Sequence, residues 1–447
     1  MNRLRAKLPS VMVGVLLFIV FGGTLCGAVL NQINEPSNIR PADEEGYFAW
    51  QQSWITDFDF DCTDELAILN SIYYTNQLNV HGKNITINKY STGMSQLMLP
   101  FTAPAQAVVL VGNRLLGWDM REDGMAGPVV RAAWVGLTLW SVLGLLAIYF
   151  TITHWYGHMT AALALCAVWA GTSVFAYTWK IPLGSHGATM SMLACAVWLV
   201  VVRATPEAIL RRNVLVAMGI GFCAAMAVVV RPTQALLLIP VGMLCLSRIY
   251  HAWRMSLTVS LTETLTESST KAPTKASTNV MQFAGLVILG MTLPLSVEMA
   301  ARYFTSGSIF FNGYARTGET FDWAAPHVWD VMFWTSIGPM HFGRGVFTAH
   351  PLTVLCVIGL LWIAWKQHGE QRLLAGGWLI AVVATIYMYG CWWFWNLGWS
   401  YGARWAADFG IVWALGLAWF IHKWHTRPIA SAIYLIPLAV WSIVTCV

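Results

Sequence analysis

Long apolar runs separated by short polar stretches extend along nearly the whole chain. Most runs are close to the ~20 residues that an α-helix needs to cross a bilayer. The pattern predicts an all-α, polytopic membrane protein with about eleven transmembrane helices. The predicted spans are residues 10–30, 129–151, 159–177, 186–202, 213–230, 233–249, 281–303, 346–365, 374–391, 405–421 and 429–447.

A further apolar run, residues 97–118, is interrupted in ways that do not suit a clean span. It contains Pro100 and Pro104 together with the polar Gln106 and Arg114. Proline disrupts the hydrogen bonds of a helix interior, and polar side chains favour an interfacial position. We therefore expect this run to lie along the outer membrane interface or to dip into it.

Basic residues set the predicted orientation. Arg3, Arg5 and Lys7 precede the first span and place the N-terminus in the cytoplasm by the positive-inside rule. That span lacks a small-x-small cleavage site, so we interpret it as an uncleaved helix rather than a signal peptide. If 97–118 does not cross, the later basic loops all fall on the cytoplasmic side; they hold Arg203, Arg211, Arg212, Arg248, Arg254, Lys271, Lys275, Lys366, Arg372, Lys423 and Arg427.

The same topology divides the chain into modules. Residues 1–250 form a predicted N-terminal catalytic membrane module with a large external loop, 31–127. Residues 251–280 include a Ser/Thr-rich, low-complexity stretch and are predicted to be a disordered cytoplasmic linker. Residues 281–447 form a C-terminal transmembrane module with a second external loop, 304–345.

Composition agrees with the membrane assignment. Hydrophobic residues make up 57% and charged residues 11% of the chain, which is too few charges for a protein that faces water on all sides. The 25 tryptophans suit membrane interfaces. A net charge of +5, spread along the chain, indicates no nucleic-acid partner. The nine cysteines show no CxxC pair and are interpreted as small buried hydrophobic residues, with a disulfide or metal role as the alternative.

The first external loop carries the candidate chemistry. Acidic residues outnumber basic ones between Asn31 and Ser95, and they include the pair Asp43 and Glu44. A glycosyl transfer with inversion needs a carboxylate to take a proton from the acceptor hydroxyl and cations to hold the departing phosphate. On the predicted topology the required cations lie on the same side, at Lys89, Arg231, Arg302, Arg316, Arg344 and Arg404.

The order of these residues resembles the GT-C superfamily of membrane glycosyltransferases, which includes protein O-mannosyltransferases and lipid A aminoarabinose transferases. An Asp-Glu pair follows the first helix, an acidic Asp57-x-Asp59-x-Asp61 stretch comes next, and Lys89 precedes the proline-containing helix. Further matches are Ser185-His186, Arg231-Pro232, 343–348 (GRGVFT) and 398–404 (GWSYGAR). The sequence departs from many members at Tyr90-Ser91, where they carry prolines, and at Gly46, where some carry a basic residue.

The resemblance implies a role for each matched residue. Asp43, with Glu44 beside it, would be the catalytic base, and Lys89 would lie near the donor phosphate. The donor would be a polyprenyl-phosphate-linked sugar, and the acceptor a lipid, glycan or protein. The remaining predicted substrate-binding residues are His186, Arg231, Arg344, Tyr401 and Arg404.

Each candidate also has a structural interpretation. Asp43 and Glu44 could cap a helix, Lys89 could extend along the interface, and the arginines could anchor helix ends. The sequence has no His/Cys ligand set that would predict a divalent metal cofactor, and such a cofactor is kept as an alternative. Alternative functions are a transporter or flippase, or a non-catalytic subunit of envelope polysaccharide assembly. A transporter predicts acids deep in the spans, where we identify only Glu298, next to Arg302.

The predicted location is the bacterial inner membrane.

Overall fold

The computed structural model describes every residue except 1, 35–38, 40–42, 70–75, 81, 212, 267–272, 312, 335–344, 397–401, 425–427 and 447. The described chain is almost entirely helical, and its one sheet is an antiparallel hairpin of two strands. The all-α, polytopic fold class predicted from the apolar pattern is therefore confirmed.

The first eleven helices are α1 (Asn2–Asn34), α2 (Asp43–Thr56), α3 (Thr63–Ile68), α4 (Gly93–Leu116), α5 (Gly127–Tyr156), α6 (His158–Gly171), α7 (Ser185–Trp198), α8 (Pro206–Leu210), α9 (Val214–Val230), α10 (Ala235–Thr266) and α11 (Pro273–Ser306). The others are α12 (Gly313–Arg316), α13 (Val328–Phe333), α14 (Val346–Ala349), α15 (Leu352–Lys366), α16 (Gly369–Cys391), α17 (Gly410–Trp424) and α18 (Pro428–Cys446). Strands β1 (Gln77–Val80) and β2 (Lys83–Thr86) pair with Leu78 opposite Ile85.

Eight helical segments of the described chain are long and apolar enough to cross a membrane. They lie in α1, α4, α5, α7, α10, α11, α16 and α17, and shorter apolar helices are α6, α9, α15 and the 435–444 part of α18. Without α4, these segments correspond to the eleven predicted spans.

Contacts divide the helix ends into two groups at opposite ends of the bundle. At one end, which we call the basic end, Arg248 donates to Glu370 at 2.8 Å and to the carbonyl of Ala204 at 3.2 Å. Tyr156 of α5 reaches Gln371 of α16 at the same end. The other end, which we call the site end, holds Asp43 and Arg404. The described parts of the basic segments near Ala204, Arg248 and Glu370 thus meet at one end of the bundle, as the predicted topology requires.

Helix α4 contacts the site ends of its neighbours. Thr92, just before α4, donates from its backbone and its hydroxyl to Glu298 of α11, both at 2.8 Å. A Cβ on Gly93 would lie 2.5 Å from the backbone nitrogen of Val230 at the end of α9. Trp140 of α5 donates to the carbonyl of Leu97 at 3.1 Å. These contacts agree with an interfacial helix, although length and composition alone would allow α4 to cross.

Glycines let the membrane helices approach closely. A Cβ on Gly359 of α15 would lie 2.0 Å from the carbonyl oxygen of Gly416 on α17. A Cβ on Gly221 of α9 would lie 1.9 Å from that of Val287 on α11. Because lipid tails are as apolar as leucine, helices in a membrane associate largely through such close van der Waals packing.

The predicted linker 251–280 differs from the structure. Helix α10 continues to Thr266 and α11 begins at Pro273, so helix covers most of the segment predicted to be disordered, and 267–272 lie outside the described residues. Once a helix is nucleated in the membrane, each further residue adds a hydrogen bond without a new nucleation cost. Composition alone does not reveal this continuation.

Candidate active site

Asp43 is the first residue of α2, and its carboxylate is held by two side chains from elsewhere in the chain. Tyr90 donates its hydroxyl to Oδ1, and Arg404 Nη1 lies 3.4 Å from Oδ2. Burial raises the pKa of Asp43, but Arg404, the Tyr90 hydroxyl, Arg231 and Lys89 together lower it below its usual value. Asp43 is therefore an ionised carboxylate at neutral pH. About a third of its side chain stays exposed, at 37%.

The segment 88–90 is fastened to α2 and thereby positions Tyr90 and Lys89. Asn88 donates to the carbonyl of Gly46 at 2.7 Å, and Trp50 donates to the carbonyl of Tyr90 at 3.0 Å. The Tyr90 ring also packs on Tyr47, with centroids 5.0 Å apart. Tyr90 thus supplies a hydrogen bond to the candidate base.

Lys89 pairs with an acid from the second external loop. Its Nζ lies 2.7 Å from Glu319 Oε1, and Trp392 donates to the other oxygen of that carboxylate at 3.1 Å. The ammonium also lies over the rings of Tyr90 and Tyr314, at 5.2 and 5.7 Å. Burial raises the pKa of Tyr314, so that ring is a neutral phenol. The second loop thus closes over the lysine predicted to meet the donor phosphate.

Arg231 lies at the centre of a buried polar network. It caps the end of α9 and donates from Nη2 to Tyr389 at 2.7 Å and from Nη1 to Ser185 at 3.0 Å. Its Nε lies 3.2 Å from Asp408 Oδ2. Gln234 donates to the same oxygen at 3.0 Å. Because both edges of the guanidinium are engaged, Arg231 is held in one orientation.

His186 links Asp408 to Arg231 and is itself buried. Its Nδ1 lies 2.8 Å from Asp408 Oδ1, and its Nε2 lies 3.3 Å from Arg231 Nη1. Since Arg231 can only donate, Nε2 accepts, and we assign the ring hydrogen to Nδ1, where it faces Asp408. Both ring nitrogens are thus engaged. His186 therefore orients Arg231 and has no ring nitrogen left to contact a substrate directly.

The charged groups of the site balance one another. Lys89, Arg231 and Arg404 carry three positive charges, and Glu319, Asp408 and Asp43 are their respective partners. The cations are arranged so that each keeps a defined position before any ligand arrives. Such preorganised charge is what stabilises developing negative charge in a reaction.

The remaining predicted site residues have different positions. Glu44 is buried, at 4% exposed, so Asp43 is the acid of the pair that is accessible. Arg344 and Tyr401 lie outside the described residues. Arg302 pairs with Glu298 at 2.6 Å, as the i, i+4 spacing predicts, and Arg316 is exposed.

The sequence interpretation missed Asp408, Tyr90, Tyr389 and Glu319. It named only Glu298 as a deep acid in the spans and did not consider Asp408, which is 1% exposed near the start of the apolar run 404–423. A lone acid in such a run is itself a signal of function. Tyr389 and Glu319 gave no comparable signal, since their roles depend on how distant loops meet.

The surroundings of Asp43 do not fit a divalent cation. Its carboxylate faces Arg404 and Tyr90, with Arg231 and Lys89 within electrostatic reach, and positive neighbours repel a metal ion. Among the described residues, one group of acids is arranged to hold a metal, formed by Asp57, Asp64 and Glu65. Burial raises the pKa of Glu65 to about 9, and the carboxylates of Asp64 and Asp57 add to the rise.

Comparison with known proteins identifies the fold. No model of a known protein family matches the sequence, and no curated protein sequence matches it significantly. Among solved structures, the apo oligosaccharyltransferase of Archaeoglobus fulgidus matches with a TM-score of 0.50 and 12% identity, over 97% of this chain and 54% of that one. The structure of archaeal oligosaccharyltransferase AglB from the same organism, with an inhibitory peptide and a dolichol-phosphate, has a TM-score of 0.49 at 12% identity, covering 97% and 55%.

A third structure, the same organism's oligosaccharyltransferase tethered to an acceptor peptide, has a TM-score of 0.43 at 10% identity, over 96% of this chain and 54% of that one. The chain spans about half the length of the solved structures it matches. At these identities the similarity concerns the fold alone. The chain is an integral, multi-pass membrane protein whose fold is similar to that of an archaeal oligosaccharyltransferase.

Proposed function

We propose that this protein is a glycosyltransferase that moves a sugar from a polyprenyl-phosphate-linked donor to an acceptor hydroxyl or amide on the non-cytoplasmic side of the membrane. One observation carries the proposal: an accessible carboxylate, Asp43, lies 3.4 Å from Arg404, with Arg231 and Lys89 close enough to lower its pKa. A proton acceptor and a set of phosphate-binding cations thus meet at one end of a membrane helix bundle.

The reaction is a single displacement at the anomeric carbon. The acceptor oxygen or nitrogen attacks that carbon and loses its proton to Asp43, while the bond from carbon to phosphate oxygen breaks and polyprenyl phosphate leaves. Configuration is inverted, because a retaining enzyme would need a second carboxylate as nucleophile about 5 Å from the first. Within the described part of the chain, the groups that contact the Asp43 carboxylate are instead the Arg404 guanidinium and the Tyr90 phenol.

Arg404, Arg231 and Lys89 would stabilise the departing phosphate. Guanidinium groups bind phosphate oxygens through paired hydrogen bonds, and Lys adds a point charge. Lys89 is paired with Glu319 at 2.7 Å, so the incoming phosphate would compete with that carboxylate. The second external loop, which carries Glu319, would then change its contacts as the donor binds.

A low pKa makes Asp43 a weak base, so its role is to accept a proton late in the step. An oxocarbenium-like transition state makes the anomeric carbon strongly electrophilic, and the attacking group becomes acidic only as the new bond forms. A carboxylate that stays ionised across the physiological pH range is suited to that timing.

The basic end of the bundle is assigned to the cytoplasm by the positive-inside rule, which places the site end outside and the N-terminus inside. A bacterial inner membrane, where polyprenyl-phosphate donors face the periplasm, is the proposed location. The acceptor would be a lipid, glycan or protein that approaches from that side or from the bilayer.

The test is transfer by the purified full chain in nanodiscs. The protein is incubated with radiolabelled polyprenyl-phosphate sugars and with membranes from a strain that lacks it. We expect label to move from the donor to a membrane lipid, glycan or protein, and the same product to be missing from the strain's glycan and lipid profile. Absence of transfer together with an unchanged profile would reject the proposal in favour of a transporter or assembly subunit.

A further inference from the structure

The end of α2 and the start of α3 bring three carboxylates together, away from the cations of the site. Asp57 follows the last residue of α2, and Asp64 and Glu65 lie in the first turn of α3. One oxygen from each of the three lies within 4.8 Å of those of the other two. Three ionised acids this close repel one another, and either a proton or a cation between them relieves the repulsion.

Glu65 distinguishes this cluster from a solvated acidic loop. The residue is 2% exposed, and neither of its carboxylate oxygens has a hydrogen-bond partner. Asp57 and Asp64, in contrast, are exposed. The buried oxygens of Glu65 meet no donor, so their capacity to accept a bond is unused, and two further carboxylates face the same point. A cation is the ligand that would use all three groups.

We propose that Asp57, Asp64 and Glu65 bind a hard divalent cation of the Ca²⁺ class. Carboxylate oxygens are the ligands such ions prefer, and Ca²⁺ accepts irregular sets of oxygens at varied angles. Glu65 supplies ligands from the protein side, while the exposed aspartates leave the outer face open for water. The cation joins the C-terminus of α2 to the N-terminus of α3.

The loop between α2 and α3 already contacts α2, the helix that begins with the candidate base Asp43. Ser53 of α2 donates to Asp59 Oδ1 at 2.8 Å, and the Phe60 ring stacks on Phe304 at the end of α11, with centroids 5.6 Å apart. A cation at Asp57, Asp64 and Glu65 would therefore close the loop 57–64, whose Phe60 packs on α11. Its role is structural, and it stands whether or not the chain transfers sugars.

The test measures Ca²⁺ binding and thermal stability of the EDTA-treated full chain in detergent. We expect calorimetric titration with CaCl₂ to show one site with Kd at or below about 1 mM, the range of extracellular calcium modules. The melting temperature should rise with CaCl₂ and fall again with excess EDTA. KCl at the same ionic strength should not reproduce the rise.

Variants separate a built site from general charge screening. Glu65→Gln keeps the shape of the side chain and should abolish the calcium-dependent rise. If that variant fails to fold, Asp64→Asn, at an exposed position, should weaken Ca²⁺ binding by about tenfold, the loss expected from one charged ligand. Asp119→Asn, an exposed acid outside the cluster, is the matched control and should bind as the wild type does. No heat of binding, or a rise that KCl reproduces, would overturn the proposal.

Discussion

Asp43 Oδ2 and Arg404 Nη1 lie 3.4 Å apart although 361 positions separate the two residues in the chain. Asp43 begins α2, and Arg404 begins the short helical turn just before α17, so these two distant segments meet at the site end of the bundle. Arg404 keeps the Asp43 carboxylate ionised. In return, Asp43 holds the Arg404 guanidinium in place, where a phosphate could also bind it. The predictions below depend on this pair.

Removing the charge of Arg404 should move the acid limb of activity. Asp43 must be ionised to accept a proton, and Arg404 is the foremost cation that lowers its pKa. In Arg404→Gln the pKa of Asp43 rises, so transfer should begin to fail at a higher pH than in the wild type. The rate at neutral pH should also fall by about 10²-fold, as for the loss of one transition-state contact. A pH–rate profile of both proteins checks this, and an unmoved acid limb would separate Arg404 from Asp43 in function.

Asp408 should act on donor binding through Arg231 and His186. Asp408→Asn removes the negative partner of Arg231, whose Nε lies 3.2 Å away, and weakens the bond to His186. Because Arg231 would no longer be held in one orientation for the donor phosphate, we expect a higher KM for the donor with a smaller change in kcat. Steady-state kinetics at varied donor concentration measure the split.

The control for that variant is Asp330→Asn. Asp330 also pairs with a histidine, His327 at 3.1 Å, but that pair is exposed and outside the network of Arg231. Its kinetics should match the wild type. Equal effects of the two substitutions would mean that Asp408 matters only for general stability.

Lys89 should contribute to donor affinity through its charge. Lys89→Met removes a charge-assisted contact of about 1.5–3 kcal/mol, so donor KM should rise by about 10- to 100-fold, while Lys89→Arg keeps most of the affinity. Glu319→Gln frees Lys89 from its 2.7 Å ion pair and should lower donor KM. Binding of polyprenyl phosphate to each variant measures these effects. Lys366→Met, at the basic end and over the Trp365 ring, should leave binding unchanged.

The glycine contact between α15 and α17 should limit stability. In Gly359→Ala the new Cβ would lie 2.0 Å from the carbonyl oxygen of Gly416, so the helices must separate. We expect destabilisation of about 1–3 kcal/mol, as for overpacking in a filled core. Gly376→Ala on α16 meets nothing within 4 Å and should be neutral or slightly stabilising. Thermal melting in detergent compares the two, and equal melting temperatures would contradict the close approach.

The sequence was informative where a single physical rule dominates. Apolar length predicts the spans, and the sign of the loop charges groups the helix ends correctly, because Arg248 and Glu370 do meet at one end. Prolines and polar residues in 97–118 predict an interfacial helix, and this stays a prediction because the length and composition of α4 would also allow it to cross. Each of these rules acts within one segment or one loop.

The sequence was less informative where distant segments combine. Nothing near Tyr90 shows that its hydroxyl reaches Asp43, and nothing near Glu319 shows that it pairs with Lys89. His186 was predicted to bind substrate, but both of its ring nitrogens are used to hold Asp408 and Arg231. The roles of these residues follow from tertiary contacts, which no local pattern encodes.

The most direct measurement is the single-turnover transfer rate of Asp43→Asn, taken together with its binding of polyprenyl phosphate. Asparagine keeps the size of the side chain and its contact with Tyr90 but cannot accept the acceptor's proton. We predict that transfer falls by about 10³-fold, within the range for loss of a general base, while polyprenyl phosphate still binds. Transfer within tenfold of the wild-type rate would contradict the assignment of Asp43 as the base.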